Sequence, residues 1–213
     1  METIKGKYQS KNIVLATGYY DNPNKLNIPG EELPKVFHFY TEPYSFYQQN
    51  VLVIGAKNSA AIAALELFRH GAKVTLVHRG ENLSEKIKYW ILPDIENRIK
   101  EGSVAAYFNT TVEKIYSEKV LLKQNGKTFE LPNDFVFAMT GYSPDYSFLQ
   151  SAGVALDDEA AVPVHNPQTL ETNVKGLYVA GSVAAGKNNN KIFIENGRLH
   201  GKLIVVEILA NEG

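Results

Sequence analysis

Apolar and polar positions along the chain follow two rhythms. Val51-Leu52-Val53-Ile54 is a continuous apolar run that stops at Gly55, the pattern of a buried strand. A small-residue turn follows. An alanine-rich stretch from Asn58 to about His70 then predicts a helix, with Gly71 as its stop. Lys73–Val77 reads as a second strand, ended by His78-Arg79-Gly80. Leu92 to about Lys100 predicts a helix, entered through Pro93 and closed near Gly102, and Val104–Phe108 a third strand. Thr111–Tyr116, Val120–Lys123 and Thr128–Leu131 then read as short strands, with Asn125-Gly126 as a hairpin turn. Phe135–Met139 is a buried strand that reaches Thr140-Gly141. The block opens as βαβ, adds an antiparallel excursion and returns to the sheet.

The flanks are less regular. Asn12–Gly18 predicts a short buried strand ending in glycine. Between Tyr19 and Pro43 stand Pro23, Pro29, Pro34 and Pro43, which predicts an extended linker between domains. Pro144–Asn173 is rich in turns, and Leu177–Gly181 is another buried strand ending in glycine. Gly186–Asn190 reads as a polar loop. A final helix is predicted from about Lys191 to Leu209, with Ile194, Leu203, Ile204, Val206 and Ile208 toward a sheet.

Composition narrows the classes. With 213 residues, 44% hydrophobic and 21% charged, the chain can build one or two cored domains. A net charge of −1 points to no nucleic-acid partner or anionic membrane surface. No apolar run is long enough to span a bilayer and no signal pattern opens the chain, so a cytoplasmic protein is expected. With no cysteine, this chain supplies no thiol chemistry of its own. His38, His70, His78, His165 and His200 show no ligand spacing, so no metal site is expected.

The candidate chemistry sits at the strand ends. Gly55, Ala56, Lys57, Asn58, Ser59 and Ala60 have the spacing G-x-K-x-x-A, an incomplete dinucleotide fingerprint. Gly55 allows the sharp turn and Ala60 the close approach of helix to sheet. Lys57 stands where the fingerprint has its middle glycine, as a phosphate-binding ammonium or as a solvated turn lysine. At the end of the second strand an acidic residue would favour NADH and a cation NADPH. His78 and Arg79 stand there, with Lys86 and Lys88 beyond, so NADPH is favoured; Glu81 is the residue that argues for NADH. Ala16-Thr17-Gly18, Met139-Thr140-Gly141 and Val179-Ala180-Gly181 are three more apolar strands ending in glycine. Gly181 before the asparagine-rich loop and the last helix marks a second candidate anion or flavin site. Asn188–Asn190 itself reads rather as an ordinary solvent loop.

These stretches, together with Tyr19-Tyr20-Asp21-Asn22-Pro23, Lys88-Tyr89-Trp90 and Phe193-Ile194-Glu195-Asn196-Gly197-Arg198, occur in an order that resembles the thioredoxin-reductase-like pyridine nucleotide–disulfide oxidoreductases. The bacillithiol-disulfide reductase group is the nearest resemblance. It implies an α/β fold in which a Rossmann-like three-layer NAD(P)-binding domain is inserted in a partial FAD-binding domain. Residues 1–44 would be the end of the first FAD segment and a linker, 45–140 the NADPH domain, and 141–213 the second FAD segment. The family's N-terminal FAD unit and its redox-relevant cysteine are not in this sequence, so a truncated or shortened gene product is expected. NADPH would be held by Gly55–Ala60, His78, Arg79, Lys86, Thr140 and Gly141. FAD, in the full-length parent, would be held by Thr17, Gly18, Gly181, Ser182, Lys191 and Ile192. Ser182 stands where related enzymes carry an aspartate.

The implied function is hydride transfer from NADPH to FAD in a disulfide reductase, with no catalytic side chain in this chain. The electron acceptor would be a low-molecular-weight disulfide or another molecule. No membrane and no nucleic acid are expected as partners, and a homo-oligomer stays open. A flavin monooxygenase-like enzyme is the alternative suggested by Ala16-Thr17-Gly18, the proline-rich stretch, Ile28-Pro29-Gly30 and Phe37-His38. A non-catalytic NADPH-binding module is another.

Overall fold

The computed structural model describes residues 2–211, without the side chains of Asn189 and Asn190; Met1, Glu212 and Gly213, at the ends of the expected FAD segments, lie outside it. The chain forms two compact units. One is Asn24–Gly141; the other joins the residues up to Pro23 with those from Tyr142 onward.

The split unit begins with β1 (Glu2–Thr3) and β2 (Gly6–Lys7), an antiparallel pair, and β3 (Ile13–Leu15). The chain then enters the continuous unit, with β4 (Val36–Phe37), β5 (Asn50–Ile54), α1 (Asn58–Arg69), β6 (Lys73–Val77), α2 (Leu92–Lys100) and β7 (Ala105–Tyr107). β8 (Thr110–Ile115), β9 (Lys119–Gln124) and β10 (Lys127–Pro132) form the antiparallel excursion, and β11 (Phe135–Ala138) returns to the main sheet. That sheet is parallel, in the order β4-β11-β5-β6-β7.

Strand alternation explains the layers, because successive side chains point to opposite faces. Val51 and Val53 of β5, Val74 and Leu76 of β6 and Phe137 of β11 pack with α1 and α2. Leu52, Ile54, Val77 and Val136 face the other way, onto Val112, Ile115, Val120 and Leu122 of the antiparallel sheet. Strands covered on both faces read as unbroken apolar runs. Ala60, Ala61, Ala63 and Ala64 are buried along α1, and their small size lets the helix lie close to the sheet.

The proline-rich stretch is not a free linker. Val36–Phe37 pairs parallel with β11 at the sheet edge, and Leu26, Ile28, Leu33 and Val36 pack on the second core. The Glu31 carboxylate accepts bonds from the Leu26 and Asn27 amides. The Ile115 amide donates to the Pro29 carbonyl at 3.0 Å. Proline removes donors but leaves carbonyls and apolar side chains to pack, so the continuous unit starts at Asn24 rather than near residue 45.

In the split unit, α3 (Tyr146–Ser151) is capped by Asp145, whose side chain accepts from the Phe148 amide. β12 (Leu177–Val179) pairs parallel with β3. β3 is less covered than the sequence suggests: Leu15 is buried but Val14 is exposed. The predicted final helix is broken. A 3-10 run over Gly181–Lys191 is kinked at Gly186, then come α4 (Ile194–Gly197) and α5 (His200–Asn211). Asn196 makes the break, its Oδ1 accepting from the Phe193 amide and its Nδ2 donating to the Lys191 carbonyl. Ile204 is buried beside Leu170 and Tyr178, with Ile208 packed against them. Ile194, Leu203 and Val206 are exposed, against expectation.

The Pro29–Gly30 turn offers a sharp test. A Cβ on Gly30, at φ +89°, would lie 2.0 Å from the Ile115 carbonyl oxygen, whereas one on Gly126, at φ +79°, meets nothing within 4 Å. The left-handed backbone alone costs a side chain about 1–2 kcal/mol. Gly126→Ala is expected to cost about that much in urea unfolding, and Gly30→Ala clearly more, because backbone must move as well. Equal losses would contradict the packing of this segment on β8.

Candidate functional site

The strand order reverses between β5 and β11. β5 runs on through α1 to β6 on one side, while β11 lies on its other side. Ligands of open α/β sheets bind at the carboxyl ends of strands at such a switch point. Gly55 is the residue that follows β5 there. Its φ is +138°, and a Cβ on it would come 2.6 Å from the Met139 carbonyl oxygen and 3.1 Å from the Ala60 Cβ. No side chain fits, so the turn presents bare backbone. The Gly55 amide donates to the Val77 carbonyl at 3.0 Å, tying the turn to the end of β6.

α1 starts just beyond. Lys57 is its N-cap residue, with extended backbone and no side-chain bond to the first turn. The N-terminus thus carries no side-chain acceptor of its own, and such an end favours an anion. Ala56 and Ala60 are buried; Lys57 and Ser59 are exposed. The Asn58 side chain is bonded within the protein. Its Nδ2 donates to the Lys86 carbonyl at 3.2 Å, and its Oδ1 accepts from the Lys88 amide at 2.8 Å. The Ser84 amide donates to the Ala56 carbonyl at 2.9 Å. The loop after β6 is therefore folded back over the glycine turn, which brings Lys86 and Lys88 to it.

His78 and Arg79 follow β6 on the same sheet edge. His78 is half-buried and its amide donates to the Tyr107 carbonyl. Burial, then the Arg79 and Lys57 charges, hold its pKa below the usual histidine value, so the ring is neutral at pH 7. The same charges show that Arg79 and Lys57 share an electropositive neighbourhood around His78, although they come from different strand ends. Arg79 is exposed.

Thr140 and Gly141 follow β11. The Thr140 hydroxyl donates to the Asn24 carbonyl at 2.6 Å, and the Asn24 side chain donates to the Thr140 carbonyl. The threonine side chain is thus occupied in closing the unit, leaving backbone at the switch point. Sequence reasoning missed the bracing roles of Asn24, Asn58 and Ser84. Each depends on a partner distant in sequence, and no local pattern marks them.

In the split unit, β3 and β12 end side by side. Gly18 and Ser182 face each other there: a Cβ on Gly18 would lie 3.8 Å from the Ser182 Oγ. Thr17 is exposed. Gly181, at φ +71°, has open space where its Cβ would be. Its amide donates to His200 Nδ1 at 3.1 Å, which places the ring proton on Nε2. His200 was not foreseen, because the bond spans the broken helix. Ile192 packs on the small core with Val183 and Ala184, whereas Lys191 is exposed. The structure brings Gly18 and Gly181-Ser182 together at the ends of β3 and β12.

The residues of the continuous unit fit a dinucleotide. They offer a cradle that a Cβ would fill, a helix N-terminus without a side-chain cap and cations near His78. Among the described residues no helix is long and apolar enough to cross a membrane.

Comparison with known proteins agrees with this architecture. Bacilliredoxin reductase Bdr of Bacillus subtilis is 48% identical over all of this chain and 66% of its own length. Bacillithiol disulfide reductase Bdr from Bacillus cereus superposes with a TM-score of 0.93 at 45% identity, over 99% of this chain and 66% of that one. Thioredoxin reductase of Lactococcus lactis superposes with a TM-score of 0.69 at 26% identity, covering 91% and 66%. The chain therefore spans just under two thirds of the length of these relatives. Residues 1–181 match the pyridine nucleotide-disulphide oxidoreductase family, and the chain belongs to that family.

Proposed function

We propose that the unit from Asn24 to Gly141 binds NADPH, and that the chain is the NADPH-binding portion of a flavin-dependent disulfide reductase. The observation that carries the reading is the Gly55 turn, pressed against the Met139 carbonyl at the switch point. Gly55, Ala56 and the first residues of α1, from Asn58 to Ala60, would receive the pyrophosphate on backbone N–H groups. Lys57 and Lys86 would add charge there, and Arg79 would clasp the 2′-phosphate. His78, neutral at pH 7, supplies a polar wall without competing charge. Thr140 and Gly141 would bound the nicotinamide half. When bound, NADPH supplies a hydride for a flavin, and this chain's task is to hold and orient it.

Thr17, Gly18, Gly181, Ser182, Lys191 and Ile192 would belong to the FAD site of the full-length parent. The 66% coverage of the Bdr relatives supports reading the split unit as part of a larger FAD domain. The likeness to a bacilliredoxin reductase and a bacillithiol disulfide reductase supports a disulfide such as bacillithiol disulfide, or a bacilliredoxin, as the acceptor of the parent enzyme. A cytoplasmic site of action belongs to the same reading.

Calorimetric titration with NADPH and NADH tests the reading. A charge-assisted bond to phosphate contributes about 1.5–3 kcal/mol. Arg79→Ala should therefore weaken NADPH by about tenfold or more and NADH far less. Equal losses for the two cofactors would reject the 2′-phosphate role. Lys57 is exposed and its contact is screened, so Lys57→Gly should weaken both cofactors by about tenfold at most. Unchanged affinities would make Lys57 a solvated turn residue.

A further inference from the structure

Tyr89 and Trp90 stand exposed side by side in the continuous unit, with 82% and 60% of their surface open; Tyr44 and Tyr47, near its start, are comparably exposed. The Tyr89 and Trp90 rings meet edge to face at 4.9 Å, and the Lys88 ammonium lies 5.2 Å from the indole centroid. A large ring left in water forfeits about 1.5–3 kcal/mol of burial, so a pair of them in one place calls for a reason.

The loop that carries them is firmly held. Ile87, two residues earlier, is 4% exposed and sits in the main core. The Ser84 amide bonds Ala56, and the Asn58 side chain bonds both Lys86 and Lys88. Each of these three hydrogen bonds ends on a residue of the dinucleotide turn. The backbone leading into the aromatic pair is thereby held to that turn, which lowers the cost of ordering a recognition surface.

The loop leaves the sheet at His78-Arg79, the end of β6 assigned above to the 2′-phosphate on the adenosine ribose. The flat group nearest that phosphate in NADPH is adenine. Adenine has a π-face to stack and no net charge to desolvate, and an aromatic side chain binds such a face without hydrogen-bond readout. Lys86 and Lys88 in the same loop match the phosphates beside it.

We propose that the Tyr89–Trp90 pair is the adenine-recognition element of this site, with Trp90 as the stacking platform. This rests on the reading of the unit as an NADPH site. It assigns base binding to a loop held by Asn58, and explains why an asparagine at the head of the phosphate-binding helix turns its side chain to the loop.

The test uses the 213-residue chain, titrated calorimetrically with NADPH and with 2′,5′-ADP, which carries adenine and the 2′-phosphate but no nicotinamide. Trp90→Leu should weaken both ligands by the same factor, about five- to tenfold, and Trp90→Phe should recover most of that loss. Trp90 is the only tryptophan, so 2′,5′-ADP should also quench the indole emission of the unmutated chain, a readout independent of any variant. Unchanged affinity of Trp90→Leu for both ligands, with no quenching in the unmutated chain, would overturn the inference and leave the NADPH site standing. A loss confined to NADPH would overturn the assignment to adenine. Failure of the unmutated chain to bind either ligand would overturn the NADPH reading and this inference with it.

Discussion

The continuous unit depends on one contact that leaves no room for a side chain. Gly55 lies so close to the Met139 carbonyl that a single methyl group would overlap it. The closeness follows from topology. β5 and β11 are neighbours in a parallel sheet, and both chains must leave the same edge at the point where the strand order reverses. Only glycine permits the turn, and only small residues such as Ala60 permit α1 to start beside it. The same closeness leaves backbone N–H groups as the surface that a ligand meets.

Around that contact, the polar side chains of the edge divide their work. Asn58, Thr140 and Asn24 hold loops and strand ends together, while Lys57, Arg79 and Lys86 remain exposed. Bracing and charge are carried by different residues. A site assembled in this way can keep its cations in solvent, where they cost little to maintain, and still fix the backbone that positions them.

The two units differ in how much core they own. The continuous unit covers both faces of its parallel sheet, with helices on one side and the antiparallel sheet on the other. The split unit has the two-stranded sheet β12-β3 with a small core around Leu149, Val179 and Val183. It leaves Val14, Val205, Val206 and Leu209 exposed. In such a unit hydrophobic patterning predicts burial poorly, and this is where the reading of the last helix went astray. Apolar residues on α5 do not report a covered face, and Asn196 breaks the helix through bonds that periodicity does not encode.

The sequence by itself determined the alternation of strands and helices from Val51 to Gly141, the hairpin at Asn125-Gly126 and the glycines at the strand ends. Each of these rests on local physics: apolar runs between breakers, left-handed backbone at Gly126 and the absence of a Cβ at Gly55. Arg79 and Lys57 were legible as candidate cations because each adjoins a strand end. Tertiary structure decided the rest. It drew Val36–Phe37 of the proline-rich stretch into an edge strand, set the charges of Lys57 and Arg79 near His78, and gave the Asn58 side chain the bracing of the Tyr89–Trp90 loop. Those outcomes depend on partners far apart along the chain, whose meeting is set by sheet order and packing rather than by any pattern a local window contains.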